Sequence, residues 1–176
     1  MAEKNIIWER AGRAGLALGG VSILYLLVSM LIGKIEGPAI LMGLLSTVLW
    51  IAKFCACLFL MRLFMIRFSQ ADPSADNARV FRFGMLVALC SAVLYSAFYL
   101  LYTGFLAPDT FESALEMVQD SPMFDSNSAD MLEEMIPRMP TISFFVNLIY
   151  CWLFGTILSA IYSRNIPPQN PFTDKQ

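Results

Sequence analysis

Long apolar runs separated by short polar connections set the pattern of this chain. Four of them reach the length, about 20 residues, that a helix needs to cross the hydrocarbon core of a bilayer. The first is Ala14 to Gly33 (AGLALGGVSILYLLVSMLIG), bracketed by Arg13 and Lys34. The second is Ala39 to Met61 (AILMGLLSTVLWIAKFCACLFLM), interrupted only by Lys53. Phe83 to Ala107 (FGMLVALCSAVLYSAFYLLYTGFLA) and Thr141 to Ser163 (TISFFVNLIYCWLFGTILSAIYS) follow. These runs are apolar on every side and lack the polar residue at every second position that marks a β-barrel strand. The pattern predicts an all-α membrane protein: one domain, a four-transmembrane-helix bundle with spans at about 14–33, 39–61, 83–107 and 141–163.

The first run has basic residues ahead of it, as a secretory signal does. It exceeds the roughly 7–15 apolar residues of a signal core, however, and KIEGP follows it in place of a small-x-small cleavage pattern. It is read as a retained span. Orientation follows from the basic residues in the short flanks. Lys4, Arg10 and Arg13 precede the first span, Arg62, Arg67, Arg79 and Arg82 lie between the second and third, and Arg164 and Lys175 follow the fourth. Lys34 and Arg138 are what the opposite face offers. Both termini are therefore expected in the cytoplasm, with Lys34 to Pro38 a tight hairpin and the proline-rich tail 164–176 an extended, disordered end.

This orientation sends the segment 108–140 to the periplasm. It carries Asp109, Glu112, Glu116, Asp120, Asp125, Asp130, Glu133 and Glu134 against Arg138. Asp109 stands three residues before Glu112, a capping-box spacing that predicts a helix to about Gln119. A second helix is predicted from Ser126 or Ser128 to just before Pro137, with Met131 and Met135 at i, i+4 beside Leu132 and Ile136 on one apolar stripe. Met131, Met135, Met139, Glu133 and Glu134 are the candidate contacts of this lobe with a partner or with the membrane surface.

Composition sharpens the class. The chain is 57% hydrophobic and 15% charged, against about 45–50% and about 25% for soluble domains, so both shifts point to a membrane. The formal net charge of −2 leaves nucleic acid out of the expected partners. Histidine is absent, which removes the commonest metal ligand and the best proton exchanger near neutral pH. Cys55, Cys57, Cys90 and Cys151 all fall in apolar stretches and read as buried thiols acting as small hydrophobes.

Small residues recur at four-residue spacing: Gly15 and Gly19 in the first span, Gly84, Ala88, Ala92 and Ser96 in the third, Gly155 and Ser159 in the fourth. Lipid tails are as apolar as leucine, so helices in a bilayer associate by close approach and interhelical hydrogen bonds. Packing within one subunit is the first expectation for these faces, self-association the second. One charge, Lys53, and one side-chain amide, Asn147, stand within the spans. Lys53 is expected to snorkel toward Arg62 or to find a bundle partner, with an anionic solute or lipid as the functional alternative. Asn147, nearer the outer end, is expected to bridge helices and to lie apart from Lys53. The loop methionines invite copper(I) and the acids calcium, but no His or Cys stands among the former and no DxDxDG loop among the latter. No phosphate-binding loop, nucleophile elbow or HExxH occurs, so neither catalysis nor a cofactor has visible residues.

With four spans, an acidic amphipathic loop between the last two, and the closing run MLEEMIPRMPTISFFVNLIYCWLFGTILSAIYS, the chain resembles a Bacteroidetes membrane family, domain of unknown function 4199. The resemblance implies a multi-pass, four-helix inner-membrane protein of a Gram-negative cell and brings with it no activity, ligand or catalytic residue. The leading expectation is a non-enzymatic membrane subunit or scaffold. It would pack through its small-residue faces and present its periplasmic lobe to another membrane protein, or assemble with copies of itself. The alternative is a transporter or channel component touching an anionic solute or lipid at Lys53.

Overall fold

The computed structural model describes residues 2–34, 38–72, 75–107, 111 and 135–166. Most of the acidic lobe, with its two expected helices and Met131, Glu133 and Glu134, lies outside the described residues, as do the centre of the first hairpin and the tail beyond Ile166.

The apolar runs are helices. In chain order they are α1 (Ala2–Gly33), α2 (Ala39–Ala71), α3 (Asn77–Leu101) and α4 (Met139–Asn165). All four are long and apolar enough to cross a membrane, and no strand occurs among the described residues. A helix satisfies its own backbone polar groups, the condition for crossing a medium that offers no hydrogen bonds. The helices outrun the apolar pattern at the basic end. α2 continues through Arg62 and Arg67, and α3 already contains Arg79 and Arg82. Asp76 starts α3 by accepting a hydrogen bond from the Arg79 backbone N–H at 2.7 Å. Arg79 Nη1 lies 3.5 Å from Asp72 Oδ2, tying the two helix ends together.

At its far end α3 widens into a π-helical turn, Tyr102–Leu106, in which Thr103 is buried and its hydroxyl donates back to Tyr99 O at 3.0 Å. The segment before α4 differs from the expected break at Pro137. Ile136–Arg138 forms a 3₁₀ turn that leads directly into α4, with Pro137 and Pro140 at first-turn positions. A proline there lacks only an N–H that would have no intrahelical partner, so it opens a helix as readily as it ends one. Met135 is exposed (41%), and Met131 and Leu132, its neighbours on the expected stripe, lie outside the described residues.

The helices alternate in direction. Ser22 of α1 lies against Cys57 of α2, and Tyr25 against Lys53, an antiparallel pair. Gly15 and Gly19 of α1 face Cys90 and Leu94 of α3, a parallel pair. Gly84 and Ala88 of α3 face Ser159 and Gly155 of α4, antiparallel again. α3 is the central element: it packs most closely on α4 and next on α1, whereas α2 rests chiefly on α1 and barely meets α4.

Absent side chains make this possible. A β-carbon at Gly15 would fall 2.5 Å from Cys90 Cβ, and one at Gly19 would fall 2.8 Å from Leu94 Cδ2. At Gly84 it would overlap Ser159 Oγ, and at Gly155 Ala88 Cβ. Ala88, Ala92, Ser96 and Ser159 are buried. The Ser159 hydroxyl crosses the seam and donates to Phe81 O at 2.9 Å. Large apolar side chains point outward instead, Ile40 and Leu44 of α2 and Ile149, Leu153 and Ile157 of α4 among them.

Four variants test this packing, each read as the shift of a denaturation midpoint in detergent. Gly84→Ala must displace the Ser159 hydroxyl and lowers stability by about 1–3 kcal/mol, the usual range for overpacking. Ser159→Ala loses roughly 0.6 kcal/mol, typical of an interhelical hydrogen bond in a membrane. The double variant is less destabilised than Gly84→Ala alone, because one of the two clashing groups is gone. Ser96 Oγ is buried and has no hydrogen-bond partner among the described residues. Ser96→Ala therefore leaves stability unchanged or raises it by up to about 1 kcal/mol, as expected when an unsatisfied hydroxyl is removed.

Candidate functional site

The weak seam between α2 and α4 leaves a cavity of about 170 Å³ in the middle of the bundle. Ser22, Lys53, Cys57, Ser91 and Cys151 contribute its polar lining, one or two residues from each helix. Trp50 of α2 and Tyr150 of α4 also line it and are 55% and 66% exposed, so the cavity reaches the lipid-facing surface between these helices. Rings bridge that mouth. Trp50 stacks on Phe54 at 5.7 Å between centroids, Phe54 meets Phe154 at 5.7 Å, and Phe154 stacks on Tyr150 at 6.3 Å.

Lys53 organises the interior. Its ammonium sits 4.9 Å from the centre of the Tyr25 ring and 5.0 Å from that of Tyr95, clasped between α1 and α3. Of the two expectations for Lys53, a partner within the bundle is what the structure shows, in ring faces and not a hydrogen bond, and the stem does not run toward Arg62. Cα–Cβ bonds tilt toward a helix's N-terminus, which in α2 is the end away from Arg62. At 1.5 Å per residue, Arg62 also stands roughly 14 Å along the axis, near half the thickness of the hydrocarbon core. Lys53 is thus a mid-membrane charge, held by ring faces.

The balance of energies matters. A lysine at the centre of a span is unfavourable by about 2.5–3.5 kcal/mol. A desolvated cation over an aromatic face recovers about 2 kcal/mol. Two rings therefore make Lys53 tolerable without neutralising it, and no carboxylate among the described residues pairs with it. The result is an uncompensated positive charge facing a cavity that opens toward lipid. Ser22 Oγ and Cys57 Sγ lie 3.9 Å apart, within reach of a weak sulfur hydrogen bond. This set can orient an anionic group and shield it from hydrocarbon.

The other candidates lie elsewhere. Asn147 is half-buried on α4, one turn before Cys151, and outside the cavity lining. The eight small residues line the α1–α3 and α3–α4 seams, where this chain's own helices occupy them. Cys57, Cys90 and Cys151 are half-buried, whereas Cys55 is exposed on the bundle surface, contrary to the expectation of burial for all four. A thiol next to acyl chains is as well accommodated as one in a core. Among the described residues no cluster of three or more Cys, Asp or Glu could hold a metal. Tyr25 and Tyr95 are the residues that sequence reasoning missed. Their signal was depth: both stand in mid-span, away from the interfacial belts where membrane tyrosines concentrate.

No curated protein and no solved structure matches the chain. A family described as protein of unknown function (DUF4199) matches residues 13–164, which takes in all of α2 and α3, α1 from Arg13 onward and α4 but for its last residue. The four-helix chain with the caged lysine belongs to that family.

Proposed function

We propose that this is a non-enzymatic, multi-pass inner-membrane protein whose bundle holds an anionic amphiphile, with the head at Lys53 and the tail leaving between α2 and α4. The observation that carries the reading is the Lys53 ammonium, unneutralised between Tyr25 and Tyr95 in a cavity that opens to the lipid side. Depth excludes a simple aqueous contact, and the aromatic mouth suits an acyl or isoprenoid chain better than a hydrated solute. The termini and the arginine-rich helix ends face the cytoplasm in this reading, because basic flanks are retained there. It develops the lysine-centred alternative in preference to a scaffold. The faces that a scaffold would offer are filled from within the chain, and the lobe's candidate contacts lie outside the described residues, Met135 and Met139 excepted.

Lys53→Met tests it. Native mass spectrometry of protein extracted in mild detergent should show an anionic lipid-like adduct on the wild type, depleted about tenfold in the variant, the equivalent of roughly 1.4 kcal/mol. The variant should fold at least as stably, since methionine removes a partly buried mid-span charge. An unchanged adduct on a folded variant refutes the reading. Tyr95→Leu should destabilise the wild type by about 1 kcal/mol and the Lys53→Met background by much less, because the ring's worth depends on the cation above it.

A further inference from the structure

A second basic site lies at the end of the bundle where α1 begins and α2 ends. Arg10 and Arg13 of α1 and Arg67 of α2 edge a cavity of about 350 Å³, floored by Ala14, Phe64, Phe68 and Phe83. The floor is firm. Phe68 and Phe83 are buried and stack face to face, with centroids 4.2 Å apart and planes 3° from parallel. Among the described residues, only the Arg13 guanidinium of this rim has a carboxylate in contact, Glu9 at 2.7 Å, and both side chains of that pair are largely exposed.

We infer that this groove binds one anionic phospholipid, with its phosphate among Arg10, Arg13 and Arg67 and the start of an acyl chain on the Phe64–Phe68–Phe83 floor. Three observations converge. The charge is complementary to a phosphate, and guanidiniums match phosphate oxygens in bidentate geometry. The apolar floor gives a free phosphate nothing, whereas it covers the carbon next to a lipid head. Depth also agrees: from Arg13 to Lys34 the helix rises about 30 Å, the thickness of the hydrocarbon core, so Arg13 stands at headgroup level. The linings of the two cavities come within a helical turn of each other, Ala14 against Leu18 and Phe64 against Met61. Lys53 and Arg67 nevertheless stand about 21 Å apart along α2, so the groove offers its own charges and does not rest on that reading.

The test uses the full chain in nanodiscs made with equal parts phosphatidylglycerol and phosphatidylcholine, followed by native mass spectrometry of the retained lipid. The wild type should retain one phosphatidylglycerol in preference to phosphatidylcholine. The variant R10Q/R13Q/R67Q should lose that preference by roughly 125-fold, as for three charges at about fivefold each. Arg164→Gln, at the same end of the bundle but away from the groove, and Lys53→Met should both keep it. Inorganic phosphate should fail to displace the lipid. Equal retention of both lipids by the wild type overturns the inference whatever the variants do. Displacement by inorganic phosphate overturns it too, by showing that the floor contributes nothing, and so does an unchanged preference in the folded triple variant.

Discussion

Everything in this bundle depends on how closely α3 can approach its neighbours. Within a bilayer, helix association gains nothing from hiding apolar surface, because the lipid is as apolar as the helix. What remains is van der Waals contact and a few hydrogen bonds, both of which fall off within an ångström of separation. Gly15 and Gly19 on one side, and Gly84 and Gly155 on the other, remove the β-carbons that would hold the backbones apart. The Ser159 hydroxyl, donating to Phe81 O, then locks the register of the tighter seam. Many large residues are displaced outward as a consequence: the seams are lined by alanine, serine and glycine, Met61, Met65, Phe68 and Phe83 are buried beside them, and most leucines and isoleucines face outward.

α2 breaks this rule, and the candidate site is the result. It brings no comparable row of small residues to α4, and rings meet across the gap instead: Phe54 against Phe154, with Trp50 and Tyr150 at the edges. Rings cannot interdigitate as closely as glycine and alanine. A cavity persists behind them, and into it points the one charged side chain of the mid-membrane region. Its cation is bound by faces of tyrosine rings, an arrangement that keeps the charge while lowering the penalty of carrying it.

The basic end of the molecule combines two physical roles. The arginines of α1, α2 and α3 supply the charge asymmetry that orients a membrane chain. Because the helices continue unbroken past the apolar runs, these charges stand on rigid supports, and Arg10, Arg13 and Arg67 all border the groove over the stacked Phe68 and Phe83 rings. An orientation signal alone would require only their presence on that side; their shared groove adds geometry to it.

Hydropathy by itself determined that this chain has four apolar helices, because backbone groups in lipid must be paired within the segment and few other structures achieve that. The four-residue spacing of glycine, alanine and serine likewise marked the packing faces, since a helix places i and i+4 on one side. Membership of the family was legible as well, in the acidic loop and the closing run. The partners across each seam were not. Which small residue meets which depends on relative height and rotation of helices joined by connections that carry no such information. Lys53 shows this most plainly: along the sequence its nearest charged neighbour is Arg62, whereas in space it lies between Tyr25 and Tyr95, brought there by two different helices. The cavity, its aromatic mouth and the arginine groove belong to the tertiary structure alone, because each is a space between helices, and a space has no sequence.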